Sequence, residues 1–172
     1  MVARGTSCVR RVSDDRSAEA AYHRFLANRK VTLDRLLEGW GERTAFAASG
    51  RHVLAIQDTS EIVIGTSPGR RRGLGKVAKG RARGFLLHAM VALDAASDTC
   101  LGLVAGAIWN RPRKVTRPHS ERTLDAKESR RWLETGENAK EVLAAANCIT
   151  IIGDRESDIY AVWAICLIAK PI

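Results

Sequence analysis

The stretch that decides the fold reads His52-Val53-Leu54-Ala55-Ile56-Gln57-Asp58-Thr59-Ser60. It is a compact apolar run that follows Gly50 and ends in polar residues, a pattern typical of a strand buried in a sheet. A second run of this kind, 149–152, is followed by Gly153 and Asp154. The sequence therefore predicts two buried strands, the first over 52–57, each with an aspartate at or near its C-terminal end.

The chain between these two runs predicts a hairpin followed by helices. The polar turn 94–99 separates two apolar runs, which favours two antiparallel strands. Residues 125–146 are mostly good helix formers, and Thr135-Gly136 predicts a break between two helices there. The predicted elements are strands over 85–93 and 101–108 and helices over 125–134, 136–146 and 157–167. Because a helical crossover lets the first and last strands lie side by side in parallel, we expect a mixed α/β fold.

The start of the chain predicts a separate helical segment. Apolar spacing over 17–39 fits two short helices that end at Gly39 and Gly41, and a third short helix is predicted over 42–48. The predicted domains are the helical segment 1–50 and the α/β domain 51–172.

The chain carries an excess of positive charge. Its 28 Lys and Arg residues outnumber 19 Asp and Glu residues, for a formal net charge of +9. Counterion release favours a polyanionic partner for such a chain, nucleic acid first, although many basic proteins bind nothing specific. Two stretches have basic loop composition, 65–84 and 109–119, and each is either a phosphate-binding or simply a solvated loop. Trp109, in the second stretch, is expected either to fill core or to stack on a base.

Membrane, secreted and zinc-binding proteins are disfavoured by the sequence. Apolar residues make up 45% of the chain but form no stretch long enough for a membrane span. The first residues include Arg4, Arg10 and Arg11 without an apolar core, which argues against a secretory signal. The 4 cysteines lack zinc-ligand spacing and are interpreted as structural thiols. We therefore expect a cytoplasmic protein.

Asp58 and Asp154 form a candidate metal site. Neighbouring parallel strands would bring both carboxylates to one edge of the sheet, where hard oxygen ligands suit Mg²⁺ or Mn²⁺. Two such ions can activate an attacking hydroxyl and stabilise the leaving oxygen of a phosphodiester. Each acid also has a plainer interpretation, Asp154 as a helix N-cap and Asp58 as a turn former.

Several longer motifs lie in order along residues 17–160. They read Ala18-Glu19-Ala20-Ala21-Tyr22-His23-Arg24-Phe25-Leu26, Ala55-Ile56-Gln57-Asp58-Thr59-Ser60, Gly73-Leu74-Gly75-Lys76, Trp109-Asn110-Arg111-Pro112, Lys127-Glu128-Ser129-Arg130-Arg131-Trp132 and Gly153-Asp154-Arg155-Glu156-Ser157-Asp158-Ile159-Tyr160. In this order the motifs resemble those of bacterial insertion-sequence transposases of the IS-four, Tn-five-like group. Any one of them alone would be a weak signal.

The resemblance implies an RNase H-like catalytic core that performs cut-and-paste DNA transposition. Asp58 and Asp154 would be the first two members of an Asp-Asp-Glu triad that holds Mg²⁺, with Mn²⁺ as an alternative. In such enzymes a metal-activated water nicks the transposon end, the freed 3′ hydroxyl attacks the other strand to give a hairpin, and the reopened end joins target DNA.

The resemblance and the charge together imply double-stranded DNA, both transposon ends and target, as the partner. A homodimer or a full-length transposase is a further expected partner, and the expected location is the bacterial cytoplasm, on the nucleoid when the protein is bound to DNA. The basic residues expected near DNA are Arg70, Arg71, Arg72, Lys76, Lys79, Arg111, Arg113, Lys127 and Arg130.

The chain also departs from the family. The family's third carboxylate, a glutamate in a Tyr-Arg-Glu type helix motif, lies far beyond the second aspartate, whereas residues after Tyr160 no longer resemble the family. We therefore expect an incomplete RNase H-like core that lacks the catalytic glutamate and does not complete the reaction. Two alternatives stay open: a non-catalytic protein that binds DNA or pairs with a full-length transposase and inhibits it, and a decayed gene product.

Overall fold

A computed structural model describes the protein over residues 5–6, 8–65, 73–77, 82–110, 130–158, 160 and 162. The chain divides into two compact units, Met1–Glu38 and Gly39–Ile172. The helices are α1 Val9–Val12, α2 Arg16–Ala27, α3 Leu33–Ala48 and α4 Arg130–Val142, and the 3₁₀ helix Arg155–Ser157 comes last. The strands are β1 His52–Gly65, β2 Gly75–Lys76, β3 Arg83–Asp94, β4 Cys100–Trp109 and β5 Cys148–Ile152. The predicted mixed α/β class is confirmed.

The first unit is helical and contains α1, α2 and the beginning of α3. Asp15 caps α2, because its Oδ1 accepts a hydrogen bond from the Ala18 backbone N–H at 2.7 Å. The predicted helix stop at Gly39 and Gly41 is wrong, since α3 continues through both glycines to Ala48. Gly41 is buried, and a Cβ added there would lie 3.7 Å from Val142 of α4. The helix therefore continues although each glycine costs it roughly 1 kcal/mol relative to alanine.

A mixed five-stranded sheet forms the centre of the second unit, with strand order β2-β3-β1-β5 and with β4 paired to β3. β3 runs antiparallel to β1, β2 and β4, whereas β5 runs parallel to β1. The predicted hairpin is therefore confirmed as β3 and β4. The predicted parallel pairing of the first and last strands is confirmed as β1 and β5.

β1 is longer than the predicted strand over 52–57. It continues to Gly65 because β3 pairs with it along almost its whole length, from Val53 opposite Asp94 to Gly65 opposite Arg83. Asp58 therefore lies inside the strand, and its predicted position at or near the C-terminal end of the strand is wrong. β5 pairs with β1 only up to Ile56, however, so Asp58 lies just beyond the part of β1 that β5 covers.

α4 is one continuous helix, and the predicted break at Thr135-Gly136 is wrong. Both residues are buried against the sheet, where an added Cβ on Gly136 would lie 3.9 Å from Ile151. The predicted helical residues 125–129 lie outside the described part of the chain. So does most of the predicted helix 157–167; of its described positions, Ser157 belongs to the 3₁₀ helix and positions 160 and 162 are helical.

The core lies between the sheet and the helices of the second unit. We call the sheet face that α4 covers the inner face. The buried core residues are Ala48, Val53, Ala55, Met90, Ala92, Val104, Ala105, Ala139 and Leu143. Within the described ranges, no helix has the length and apolar character needed to cross a membrane.

Candidate metal centre

Asp58 and Asp154 lie toward the same end of the parallel pairing of β1 with β5. The last register pair is Ile56 opposite Ile152, and each aspartate comes two residues after it in sequence. Asp58 is still inside β1, whereas Asp154 follows the end of β5. Both aspartates are exposed.

Asp58 faces away from the inner face of the sheet, because side chains alternate along a strand. Its neighbour Gln57 is 2% exposed and hydrogen bonds to α4 across the inner face. Thr59, on the other side, is half-buried and bonds to His88 of β3. The backbone that carries Asp58 is therefore anchored on both sides by buried polar side chains, while the carboxylate faces solvent.

Asp154 lies at the start of a tight turn. Its backbone carbonyl accepts hydrogen bonds from Ser157 Oγ at 2.6 Å and from the Ser157 backbone N–H at 3.0 Å. A Cβ added to Gly153 would lie 2.7 Å from Ser157 Oγ and 2.9 Å from Trp132 Cζ3. Only glycine fits between this turn and α4, which explains the Gly-Asp sequence after β5.

A buried polar network lies on the inner face, directly behind Asp58. His88 is fully buried, and its Nδ1 lies 2.7 Å from Thr59 Oγ1. Its Nε2 lies 3.2 Å from both Gln57 Oε1 and Thr135 Oγ1. Thr135 Oγ1 also lies 2.5 Å from Gln57 Oε1, and the ring of Trp132 meets the His88 ring edge-on at a centroid distance of 4.7 Å.

The protonation state of His88 follows from its surroundings. Burial lowers its pKa below the ordinary value of 6.5, and the positive charge of Arg131 lowers it further, while the negative charge of Asp58 partly offsets both. A neutral ring has one donor and one acceptor nitrogen. The assignment that satisfies the network has the Thr59 hydroxyl donating to Nδ1 and the Nε2–H donating to Gln57 Oε1.

Sequence reasoning did not connect His88 with the aspartates. The one available signal was the alternation of side chains along the strand, because His88 lies on the same face as the buried residues Leu86 and Met90. An inward-facing histidine in an apolar strand needs partners, and those partners become visible only once the register of β1 and β3 is known.

Two of the basic residues predicted to lie near DNA are within the described ranges. Lys76 is exposed in β2. Arg130 begins α4, where its Nε lies 2.6 Å from Glu134 Oε1 and both side chains are about half exposed. The others lie outside the described residues and are Arg70, Arg71, Arg72, Lys79, Arg111, Arg113 and Lys127.

Two of the motifs that carried the family resemblance contact each other. The side-chain amide of Asn110 donates to the Gly73 carbonyl at 2.5 Å, and its Oδ1 accepts from the Gly75 backbone N–H at 3.0 Å. Asn110 thus joins the end of β4 to the glycine-rich chain around β2. Next to it, the guanidinium of Arg131 covers the half-buried ring of Trp109 at 3.7 Å. That ring face is occupied and is not free to stack on a base.

Asp58 and Asp154 offer hard oxygen donors of the kind that Mg²⁺ and Mn²⁺ prefer. Within the described part of the chain, no group of three or more His, Cys, Asp or Glu residues could hold a metal ion. The two aspartates fit a site in which few carboxylates bind the ion and water or phosphate oxygens complete its shell. A scan against protein-family models gives no match for this chain.

Proposed function

We propose that this chain carries the paired-aspartate half of a transposase metal centre and acts on DNA phosphodiesters. One observation carries the proposal: Asp58 and Asp154 each come two residues after the last register pair of β1 with β5, and both are exposed. The order of the motifs along residues 17–160 adds the resemblance to transposases of the IS-four, Tn-five-like group. The five-stranded mixed sheet with helices is compatible with an RNase H-like core.

Asp58 and Asp154 would hold the divalent ions, Mg²⁺ in the first place and Mn²⁺ as an alternative. When bound, such ions activate the attacking hydroxyl and stabilise the leaving oxygen. Both aspartates are exposed, as contact with a DNA backbone would require. Lys76 and the other basic residues of the chain would bind its phosphates, which position a substrate without reading its sequence.

Metal-dependent nicking of a supercoiled plasmid tests this function. We expect nicking that requires Mg²⁺ or Mn²⁺ and that is lost in Asp58→Asn and in Asp154→Asn, each of which keeps the shape and removes the charge. The turnover should be slow, since the resemblance assigns a third ligand to a Tyr-Arg-Glu motif that residues 1–172 do not contain.

The matched control for these variants is Asp98→Asn. Asp98 is an exposed aspartate in the turn between β3 and β4, with φ of 54°, a conformation that asparagine also tolerates. Asp98→Asn should nick like the wild-type chain. Nicking that persists unchanged in both Asp58→Asn and Asp154→Asn would contradict the proposal.

A second candidate function is DNA binding without cleavage, which would make the chain an inhibitor of a full-length transposase. The net charge of +9 favours this candidate, because phosphate binding by Lys and Arg needs no metal. Binding of a fluorescent duplex that weakens steeply with salt, without nicking and without change in Asp58→Asn, would select it. A chain that neither binds nor nicks would contradict both functions.

A further inference from the structure

α4 contacts both segments that carry the two aspartates. Thr135 and Trp132, which are one helical turn apart, reach the network behind Asp58. Trp132 also lies against Gly153, the residue before Asp154, where an added Cβ would come within 2.9 Å of its ring. One rigid helix therefore sets the position of two chain segments that are far apart in sequence.

His88 joins α4 to both neighbours of Asp58, in addition to the direct bond from Thr135 to Gln57. It bonds to Gln57 and Thr59, the two neighbours of Asp58, at 3.2 Å and 2.7 Å. Its own ring is fixed by Thr135 Oγ1 at 3.2 Å and by the edge of the Trp132 ring. The His88 ring therefore connects α4 to the two residues that flank Asp58.

Packing alone does not account for a polar network at this place. Farther along the same inner face, the neighbouring positions are filled by the apolar residues Val53, Ala55 and Ala92. The network also leaves Gln57 Nε2 without a hydrogen-bond partner within the described residues, although the atom is buried. A buried donor without a partner is unfavourable, so an apolar set of side chains would serve stability better at this site.

We propose that His88 and Trp132 are positioning residues that hold Asp58 and Asp154 at the spacing needed to share divalent ions. This inference rests on the proposed function, since it assumes that the two aspartates bind metal. His88 and Trp132 touch neither the ions nor DNA in this role. They act through the backbone on either side, Gln57 and Thr59 for Asp58 and Gly153 for Asp154.

Binding of Mn²⁺ alone, followed by electron paramagnetic resonance, tests the inference without any need for DNA or turnover. Outer partners of metal ligands typically change metal affinity by roughly 10- to 100-fold when they are replaced. We expect His88→Ala to weaken Mn²⁺ binding about tenfold or more. His88→Gln, whose amide can still reach Gln57 and Thr135, should recover part of the loss.

Val53→Ala is the matched control for a loss that is only structural. Val53 is a fully buried residue on the inner face of the same strand, and its register partner is Asp94 rather than His88. It should lower the melting temperature while leaving the Mn²⁺ affinity of the folded protein unchanged. Thr59→Val covers the case in which His88→Ala does not fold, because it removes only one hydroxyl and keeps the β-branched shape. It too should weaken Mn²⁺ binding.

Asp58→Asn in the same titration tests the metal site separately from the positioning role of His88. If Asp58→Asn weakens Mn²⁺ binding but folded His88→Ala and Thr59→Val bind like the wild-type chain, the positioning role is overturned and the metal site stands. If Asp58→Asn leaves Mn²⁺ binding unchanged, the metal site and the positioning role both fall. Weakening in Asp58→Asn, His88→Ala and Thr59→Val, with none in Val53→Ala, is the result we expect.

Discussion

Thr135→Val removes one buried hydroxyl from the network with little change in shape. Thr135 is 4% exposed, and its Oγ1 lies 2.5 Å from Gln57 Oε1 and 2.7 Å from the Arg131 carbonyl. Threonine and valine have similar helix propensities, so α4 itself should be little affected. The substitution therefore reports on the hydrogen bonds that join α4 to β1.

The expected loss can be worked out from these contacts. A net hydrogen bond is worth about 1 kcal/mol, and a buried group left without a partner costs about 1–3 kcal/mol. Within the described residues, Gln57 Oε1 then keeps only His88 Nε2, at 3.2 Å. We expect Thr135→Val to lower the free energy of unfolding by about 2 kcal/mol.

Urea unfolding followed by circular dichroism measures this loss, with an unchanged m value. Thr150→Val is the control, because Thr150 is exposed and, among the residues that the structure describes, its hydroxyl bonds only to the exposed His52, at 2.9 Å. It should shift stability by no more than about 0.5 kcal/mol. The double variant Gln57→Met, Thr135→Val should lose less than the sum of the two single variants. A Thr135→Val loss no larger than that of Thr150→Val, or strict additivity in the double variant, would refute the reasoning.

Three further predictions concern backbone packing and pH. Gly84→Ala should lower the free energy of unfolding by at least about 1–3 kcal/mol, because the added Cβ would lie 1.8 Å from the Ile62 carbonyl oxygen. Gly39→Ala should be neutral or stabilising in thermal melts, because its added Cβ would meet no atom of the described residues beyond its own helix within 4 Å. The folded-state pKa of His88 lies below the ordinary 6.5. As the pH falls below 6.5, the unfolded chain therefore binds the proton before the folded protein does, and the free energy of unfolding falls. In His88→Gln, the free energy of unfolding in urea should depend less on pH below pH 7. The pKa of Asp94 is lowered below 3.8 by hydrogen bonds from the Ala96 N–H and Ser97 and by Arg51. The ionised carboxylate therefore stabilises the fold above that pH and loses this effect in stronger acid. There the free energy of unfolding of Asp94→Asn should approach that of the wild type.

The main strands could be predicted because their signals are local. The apolar run at Val53 and the one at Ile149 each mark a buried strand, and the polar turn after Asp94 marks the hairpin. The length of β1 could not be predicted in this way. Residues 58–65 stay extended because β3 pairs with this stretch, and its partners lie 18 to 31 residues farther along the chain.

Helix ends were the least predictable part of the fold. Gly41 and Gly136 are local signals for a stop, yet both lie buried inside helices. At the candidate site, sequence reasoning suggested the two aspartates but not their support. The hydrogen bonds from His88 to Thr59 and Thr135 join β3 to β1 and to α4, and no spacing of residues along the sequence predicts these contacts.

In the proposed function, Asp58 and Asp154 hold the same divalent ions. Ferrous iron with added hydrogen peroxide tests this most directly, because bound Fe²⁺ reduces the peroxide to hydroxide and a hydroxyl radical and itself becomes Fe³⁺. The radical cuts the backbone beside the metal ligands. We predict cuts near residue 58 and near residue 154 in the wild-type chain, and the loss of both cuts in either Asp58→Asn or Asp154→Asn. A cut near one aspartate that persists when the other is replaced would contradict a shared site.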